Sequence, residues 1–154
     1  MNLGILDKPY NFLTQPFAAK IVIILALLWR WTGYNMVFFL SGLQNIEYSV
    51  YEAAKIDGAS AIQTFFKITV PLLKPTILLT AIMSTNGTLQ LFDESINLTD
   101  GGPANASISM SHYIYNLCFK YVPNFGYAAA MSFFILLLVA VLALIQMRVG
   151  DKRD

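Results

Sequence analysis

Residues 52–71 read EAAKIDGASAIQTFFKITVP, a polar stretch between two apolar stretches of the chain. Its charged residues are costly in hydrocarbon, so this stretch is expected to leave the membrane. On either side the chain is apolar enough to return to it. A structured loop between spanning helices indicates a place where a soluble partner can push or pull on those helices.

The composition is that of a membrane protein. The 154 residues are 56% hydrophobic and 12% charged, about half the charged fraction of a soluble domain. The net charge of +1, without a basic aromatic-rich patch, argues against nucleic acid as a partner. With Cys118 and His112 as the single members of their types, the sequence offers no disulfide framework or common zinc spacing, and we expect no metal or cofactor.

Three segments are long and apolar enough to span a bilayer, and they predict an all-α integral membrane fold. They are residues 17–40, 72–92 and 127–147, and the last is interrupted only by Ser132 and Gln146. The first two are polar in their middles, at 30–35 and 84–88. These positions must face protein or a water-filled path, which a single-pass anchor would not need.

The distribution of cationic residues predicts the orientation. If the loop at 44–71 is cytoplasmic, six lie inside and three outside, as the positive-inside rule favours. The inner set is Lys55, Lys67, Lys74, Arg148, Lys152 and Arg153; the outer set is Lys8, Lys20 and Lys120. The 93–126 connection is then external, with a turn at 100–103 and a short helix within 105–121.

Local signals in the cytoplasmic loop predict a helix, a sharp turn and a second helix. Ser49 with Glu52 fits one capping box and Ser60 with Gln63 fits another. Gly58 lies between them, where a helix commonly ends in the left-handed conformation.

The second helix of the loop is expected to be amphipathic and to stop at Pro71, which re-aims the chain into the next span. Its apolar stripe would contain Ile62, Phe65, Phe66 and Thr69 or Val70. An interfacial hairpin with capped ends is an alternative interpretation of the same pattern.

The spaced residues also resemble a known motif. Glu52-Ala53-Ala54, Gly58, Ile68 and Pro71 match the EAA motif of binding-protein-dependent ABC importer permeases, with Val70 in place of the usual leucine. The flanks resemble the sugar-importer branch, related to the maltose transporter's larger membrane subunit. They read WRWTGYN at 29–35, LFD at 91–93 and LTDGGP at 98–103.

The resemblance implies a role for the loop and a set of partners. In such permeases the loop is a coupling helix held by a cytoplasmic ATPase, which hydrolyses the ATP, so the chain itself is not an enzyme. The coupling residues would be Glu52, Ala53, Ala54, Asp57, Gly58, Ile68 and Pro71. A second permease subunit, an external solute-binding protein, a sugar substrate and the lipid of a bacterial or archaeal plasma membrane complete the expected system.

Four polar residues in the spans are candidates for the substrate path, because sugars are held by aromatic stacking and by amide hydrogen bonds. They are Tyr34, Asn35, Asn86 and Gln90. Asn86, Gln90 and Asp93 recur at i, i+4 and i+7 and would share one helix face. The alternative is that these groups hydrogen-bond helix to helix.

The resemblance further implies that residues 1–154 correspond to the C-terminal half of a permease. We therefore expect a permease fragment of a sugar-type importer. The alternatives are a truncated scaffold or interaction protein that does not transport, or a permease for another class of solute. An intramembrane enzyme is a weaker third hypothesis, since no nucleophile–base pair is visible.

Overall fold

The computed structural model describes residues 12–150, and every regular element in that part of the chain is helical. The α-helices are α1 (Pro16–Gln44), α2 (Tyr48–Ile56), α3 (Ala61–Thr64), α4 (Val70–Leu72), α5 (Lys74–Leu89), α6 (Met110–Tyr115) and α7 (Phe125–Gly150). A 3-10 turn at Phe12–Thr14 and π-helical segments at Phe65–Thr69, Ser95–Thr99 and Asn116–Lys120 complete the set. The predicted all-α class is confirmed.

Helix length decides which elements can cross a membrane. At ~1.5 Å per residue, the 29 residues of α1 extend ~44 Å and the 26 residues of α7 extend ~39 Å, and both exceed the ~30 Å hydrocarbon core. The 16 residues of α5 extend only ~24 Å. Together with Ala61–Leu72, from which it is bent by 64°, α5 is a candidate for a third span by length and composition.

The chain divides into two compact units. The first contains residues 12–29 and 88–136, and the second contains residues 30–87 and 137–150. The long 93–126 connection lies in the first unit, whereas the 44–71 loop and nearly all of α5 lie in the second.

In the second unit, α5 runs antiparallel to both α1 and α7. Gly42, late in α1, meets the start of α5, where an added Cβ would lie 2.8 Å from Thr76 Oγ1 and 2.9 Å from Leu73 Cδ2. Asn35, earlier in α1, meets Ser84, later in α5. Close approach through a glycine and a polar pair is typical of helix packing in membranes.

The bend before α5 comes later than the sequence predicts. Pro71 lies inside α4, and the helical path breaks at Leu73, where φ is −83° and ψ is −3°. Pro75 follows in the first turn of α5. Proline is tolerated there, because the N–H groups of a first turn have no intrahelical partner. The two prolines therefore flank the bend, and Pro71 alone does not end the helix.

Candidate functional site

The turn at Gly58 is built by backbone hydrogen bonds. Gly58 adopts φ +74°, and its N–H donates to Lys55 O at 3.2 Å. The next N–H, of Ala59, donates to Ala54 O at 3.0 Å. These two bonds and the left-handed residue form a Schellman motif, which satisfies carbonyls at the end of α2. The predicted sharp turn at Gly58 is confirmed.

One of the two predicted capping boxes is present. Ser60 Oγ accepts from the Gln63 N–H at 3.3 Å, and Gln63 Oε1 accepts from the Ser60 N–H at 2.9 Å. The box at Ser49 and Glu52 was wrong. Since α2 begins at Tyr48, Glu47 holds the N-cap position, and Ser49 lies inside the helix and donates to Glu47 Oε2 at 3.3 Å.

The second helix of the loop is not a regular amphipathic α-helix. Phe65–Thr69 is π-helical, and a π turn breaks the 3.6-residue spacing on which the predicted stripe depended. Ile62 and Phe66 are exposed, whereas Thr69 is buried. The Thr69 hydroxyl is 3.3 Å from the Tyr51 hydroxyl, so a side-chain hydrogen bond ties the second helix back to α2.

We call residues 48–71, which contain the residues predicted to couple to an ATPase, the coupling loop. Among its motif residues, those exposed are Glu52, Ala53, Asp57, Gly58 and Pro71; Ile68 is half-buried and Ala54 is buried. The exposed Glu52 carboxylate makes no hydrogen bond or ion pair within residues 12–150. The concave side of the loop is an open groove of about 420 Å³, lined by Tyr51, Lys55, Ala59, Ala61, Thr64, Phe65 and Thr69.

The predicted substrate-path residues fall into different environments. Asn35 forms a hydrogen-bonded pair between α1 and α5. Its Nδ2 donates to Ser84 Oγ at 3.1 Å, and Ser84 Oγ is 3.3 Å from Asn35 Oδ1. Tyr34 is exposed, and its ring packs edge-on against Trp31 and at a tilt against Phe38. The Asn86 side chain is half-buried and makes no hydrogen bond to any described residue.

The expected shared face of Asn86, Gln90 and Asp93 does not form. Helix α5 ends at Leu89, so Gln90 and Asp93 lie beyond it. Gln90 is exposed and belongs to the first unit, whereas Asn86 belongs to the second. Helical periodicity in the sequence continues past the point where the helix itself stops.

The 93–126 connection, which was predicted to be external, contains a buried polar network that sequence reasoning missed. The side chain of His112, the single histidine of the sequence, is 0% exposed. Ser95 Oγ donates to Ser107 O at 2.8 Å and accepts from the Ser109 N–H at 3.2 Å. Because the single hydroxyl proton of Ser95 is donated to Ser107 O, Ser95 Oγ can only accept from His112. The Nδ1 atom of His112, 2.9 Å away, must therefore be the donor to Ser95 Oγ.

The other nitrogen of His112 faces a charged pair. Asp100 Oδ1 lies 3.8 Å from His112 Nε2 and 2.6 Å from Lys120 Nζ. Asp100, at φ +46°, and Gly101 form the predicted turn. Burial lowers the pKa of His112 below its ordinary 6.5 and Lys120 lowers it further, although Asp100 opposes both; for Asp100, the hydrogen bond from Lys120 lowers the pKa below 3.8.

These shifts predict a loss of stability on mild acidification. The folded segment holds His112 neutral, whereas an opened segment takes up a proton near pH 6.5, so stability falls as the pH decreases through 6.5. The stability that comes from the lowered pKa of Asp100 is lost only at more acidic pH, as the pH falls through 3.8. Hydrogen exchange over residues 95–120, corrected for intrinsic rates, should show less protection at pH 5.5 than at pH 7.5.

A His112→Asn variant is the matched control for this pH effect. The asparagine amide can donate to Ser95 Oγ in place of Nδ1, but it does not titrate. Its protection should change little between the two pH values. Equal pH dependence in the variant and the wild type would contradict the assignment to His112.

Long apolar helices, a bend between α4 and α5 and a braced polar loop define a multi-pass integral membrane protein. The sequence matches the family described as "Binding-protein-dependent transport system inner membrane component" over residues 4–153. The chain belongs to this family, as its spaced EAA motif predicted.

The chain is also similar to individual transport proteins, among them two curated relatives and one protein of solved structure. The chain is 54% identical to the lactose transport system permease protein LacF of Rhizobium radiobacter, over 98% of this chain and 51% of the relative. It is 37% identical to the trehalose/maltose transport system permease protein MalF of Thermococcus litoralis, over 95% and 49% respectively. The chain spans about half the length of the curated relatives it matches.

The solved structure is the crystal structure of a bacterial ABC transporter involved in the import of the acidic polysaccharide alginate. It matches with a TM-score of 0.80 and 26% identity, and the match covers 94% of this chain and 51% of that chain. The membrane location and the permease-type helical fold are thereby established.

Proposed function

We propose that this chain forms part of a membrane-spanning permease subunit of an ATP-driven sugar-type importer. In this proposal it contributes to the translocation path and couples to a cytoplasmic ATPase through the coupling loop. A second permease subunit and an external solute-binding protein would complete the transporter. The names of the relatives, which refer to lactose and to trehalose/maltose, favour sugars as the solute class.

The observation that carries the coupling role is the braced and exposed coupling loop. The Schellman motif at Gly58, the Ser60–Gln63 capping box and the Tyr51–Thr69 bond hold it at three points. A loop held in this way moves as a unit and can transmit a displacement to α5. The exposed Glu52 carboxylate leaves a charge available to a partner surface.

We retain four residues as the proposed substrate path, although their environments differ. They are Tyr34, Asn35, Asn86 and Gln90. The exposed Tyr34 ring and the Asn86 carboxamide offer stacking and hydrogen bonding to a sugar. Asn35 would have to leave Ser84 before it could bind solute. The roles of these residues, and the span limits 17–40, 72–92 and 127–147, remain proposals.

Reversing the charge of Glu52 tests the coupling role. In cells that contain the chain with the other components of its transport system, Glu52→Lys should lower solute uptake about tenfold or more, because an unpaired or repelled charge at an interface costs roughly 2 kcal/mol or more. The affinity of the solute-binding protein for its solute should stay unchanged.

Glu47→Lys is the control, because it makes the same charge change on an exposed residue at the N-cap of α2, outside the motif. It should retain most of the uptake. Normal uptake by Glu52→Lys, or equal loss in both variants, would refute a specific role of Glu52 in coupling.

A further inference from the structure

The two polar residues of the most apolar span make different hydrogen bonds. Ser132 Oγ donates to Ala128 O at 2.9 Å, within its own helix α7. Gln146 Nε2 instead donates to Thr85 Oγ1 at 2.8 Å, on α5. Of the two interruptions in this span, only Gln146 therefore connects α7 to a neighbouring helix.

Thr85 lies next to a second interhelical contact. Ser84, the preceding residue on α5, bonds Asn35 on α1. Adjacent side chains point to different sides of a helix, so this dipeptide ties α5 to α1 and α7 at the same level. The polar interruption at 84–88 is thus partly explained by helix-to-helix bonding.

The contact between α5 and α7 continues toward the end of α7. A Cβ added at Gly150 would lie 2.5 Å from Leu78 Cδ1 and 2.7 Å from Leu78 Cδ2. This close apolar contact depends on the axial alignment of the two helices. In lipid, no hydrophobic driving force holds two apolar helices in one alignment. Without a polar hydrogen bond to α5, α7 would therefore pack almost equally well in other alignments.

We propose that Gln146 is a positioning residue that fixes the register of α7 against α5. The register is a property of the chain itself. A consequence of this contact rests on the proposed function. When the coupling loop displaces α5, the hydrogen bond between Gln146 and Thr85 transmits that displacement to α7.

Cysteine cross-linking in membranes that contain the full chain tests the register without any partner. In a Cys118→Ala background, Leu78→Cys and Gly150→Cys should cross-link under mild oxidation. Adding Gln146→Leu, or the isosteric Thr85→Val, should slow the cross-linking about three- to tenfold, the worth of one interhelical hydrogen bond. The two changes together should slow it no more than either alone.

Ser132→Ala is the matched control, since Ser132 bonds only its own helix, and it should leave the rate unchanged. Wild-type rates in both the Gln146→Leu and Thr85→Val chains, or additive losses in the double variant, would overturn the proposal.

A transport readout separates positioning from mere stability. With the complete transport system, Gln146→Leu should lower the solute moved per ATP hydrolysed, whereas a loss of folded protein alone would lower both rates together. An unchanged ratio would overturn the role in transmission. Absence of ATP-dependent uptake by the wild type would instead refute the proposed function, and the cross-linking result would still decide the register.

Discussion

Replacing Gly58 by proline is expected to lower solute uptake at least about tenfold while the chain still inserts into the membrane. Gly58 has φ +74°, whereas the proline ring fixes φ near −65°. Proline also removes the N–H that donates to Lys55 O. The turn must therefore open, and the coupling loop loses one of the three points that hold it, on which the proposed coupling depends.

Asparagine at the same position is the matched variant, because it tolerates the left-handed region better than other side chains. Gly58→Asn should retain most of the uptake, and Gly58→Ala, which pays roughly 1–2 kcal/mol for this backbone conformation, should be intermediate. The measurement is initial uptake rate against the amount of chain in the membrane. Full uptake by Gly58→Pro would show that the turn has no part in coupling.

Replacing Gly87 by leucine should destabilise the chain itself. A Cβ at Gly87 would overlap Cζ2 of Trp31 and lie 2.6 Å from Cη2. The ring cannot easily yield, because Tyr34 packs edge-on against it at 5.6 Å. Overpacking of this kind costs roughly 1–3 kcal/mol, so the apparent Tm in detergent should fall by about 3–10 °C.

Two variants control for this interpretation. Gly33 has no atom within 4 Å of an added Cβ, so Gly33→Ala should leave the Tm nearly unchanged. Shrinking the opposing ring in a Gly87→Leu/Trp31→Ala chain should restore part of the loss relative to Trp31→Ala alone. An unaltered Tm in Gly87→Leu would contradict the packing of α1 against α5 at this level.

Much of the coupling loop could be predicted from the sequence because its determinants are local. Gly58 requires only its own backbone, and the Ser60–Gln63 box requires only residues three apart. The all-helical membrane class followed from apolar length. These features depend on the chain within one or two turns.

The predictions that failed depended on the start, end or regularity of a helix. The Ser49–Glu52 box failed because α2 begins at Tyr48, one residue before Ser49. The apolar stripe failed because Phe65–Thr69 is π-helical, and the face including Gln90 failed because α5 stops at Leu89. A pattern of residue types does not show these breaks.

Distant partners were also invisible to sequence reasoning. The burial of His112 depends on Ser95, which lies 17 residues earlier in the chain, and Gln146 meets Thr85 across 61 residues. A glutamine inside an otherwise apolar span was still a usable signal, since a buried carboxamide needs a partner. What the sequence could not supply was the identity of that partner.

Sidedness labelling tests most directly the claim that the coupling loop lies on the ATPase side of the membrane. Asp57→Cys and Val122→Cys, each in a Cys118→Ala background, place a thiol at exposed positions in the coupling loop and in the 93–126 connection. A membrane-impermeant maleimide should label Asp57→Cys only in inverted vesicles and Val122→Cys only in intact cells. Labelling of Asp57→Cys in intact cells would contradict the account.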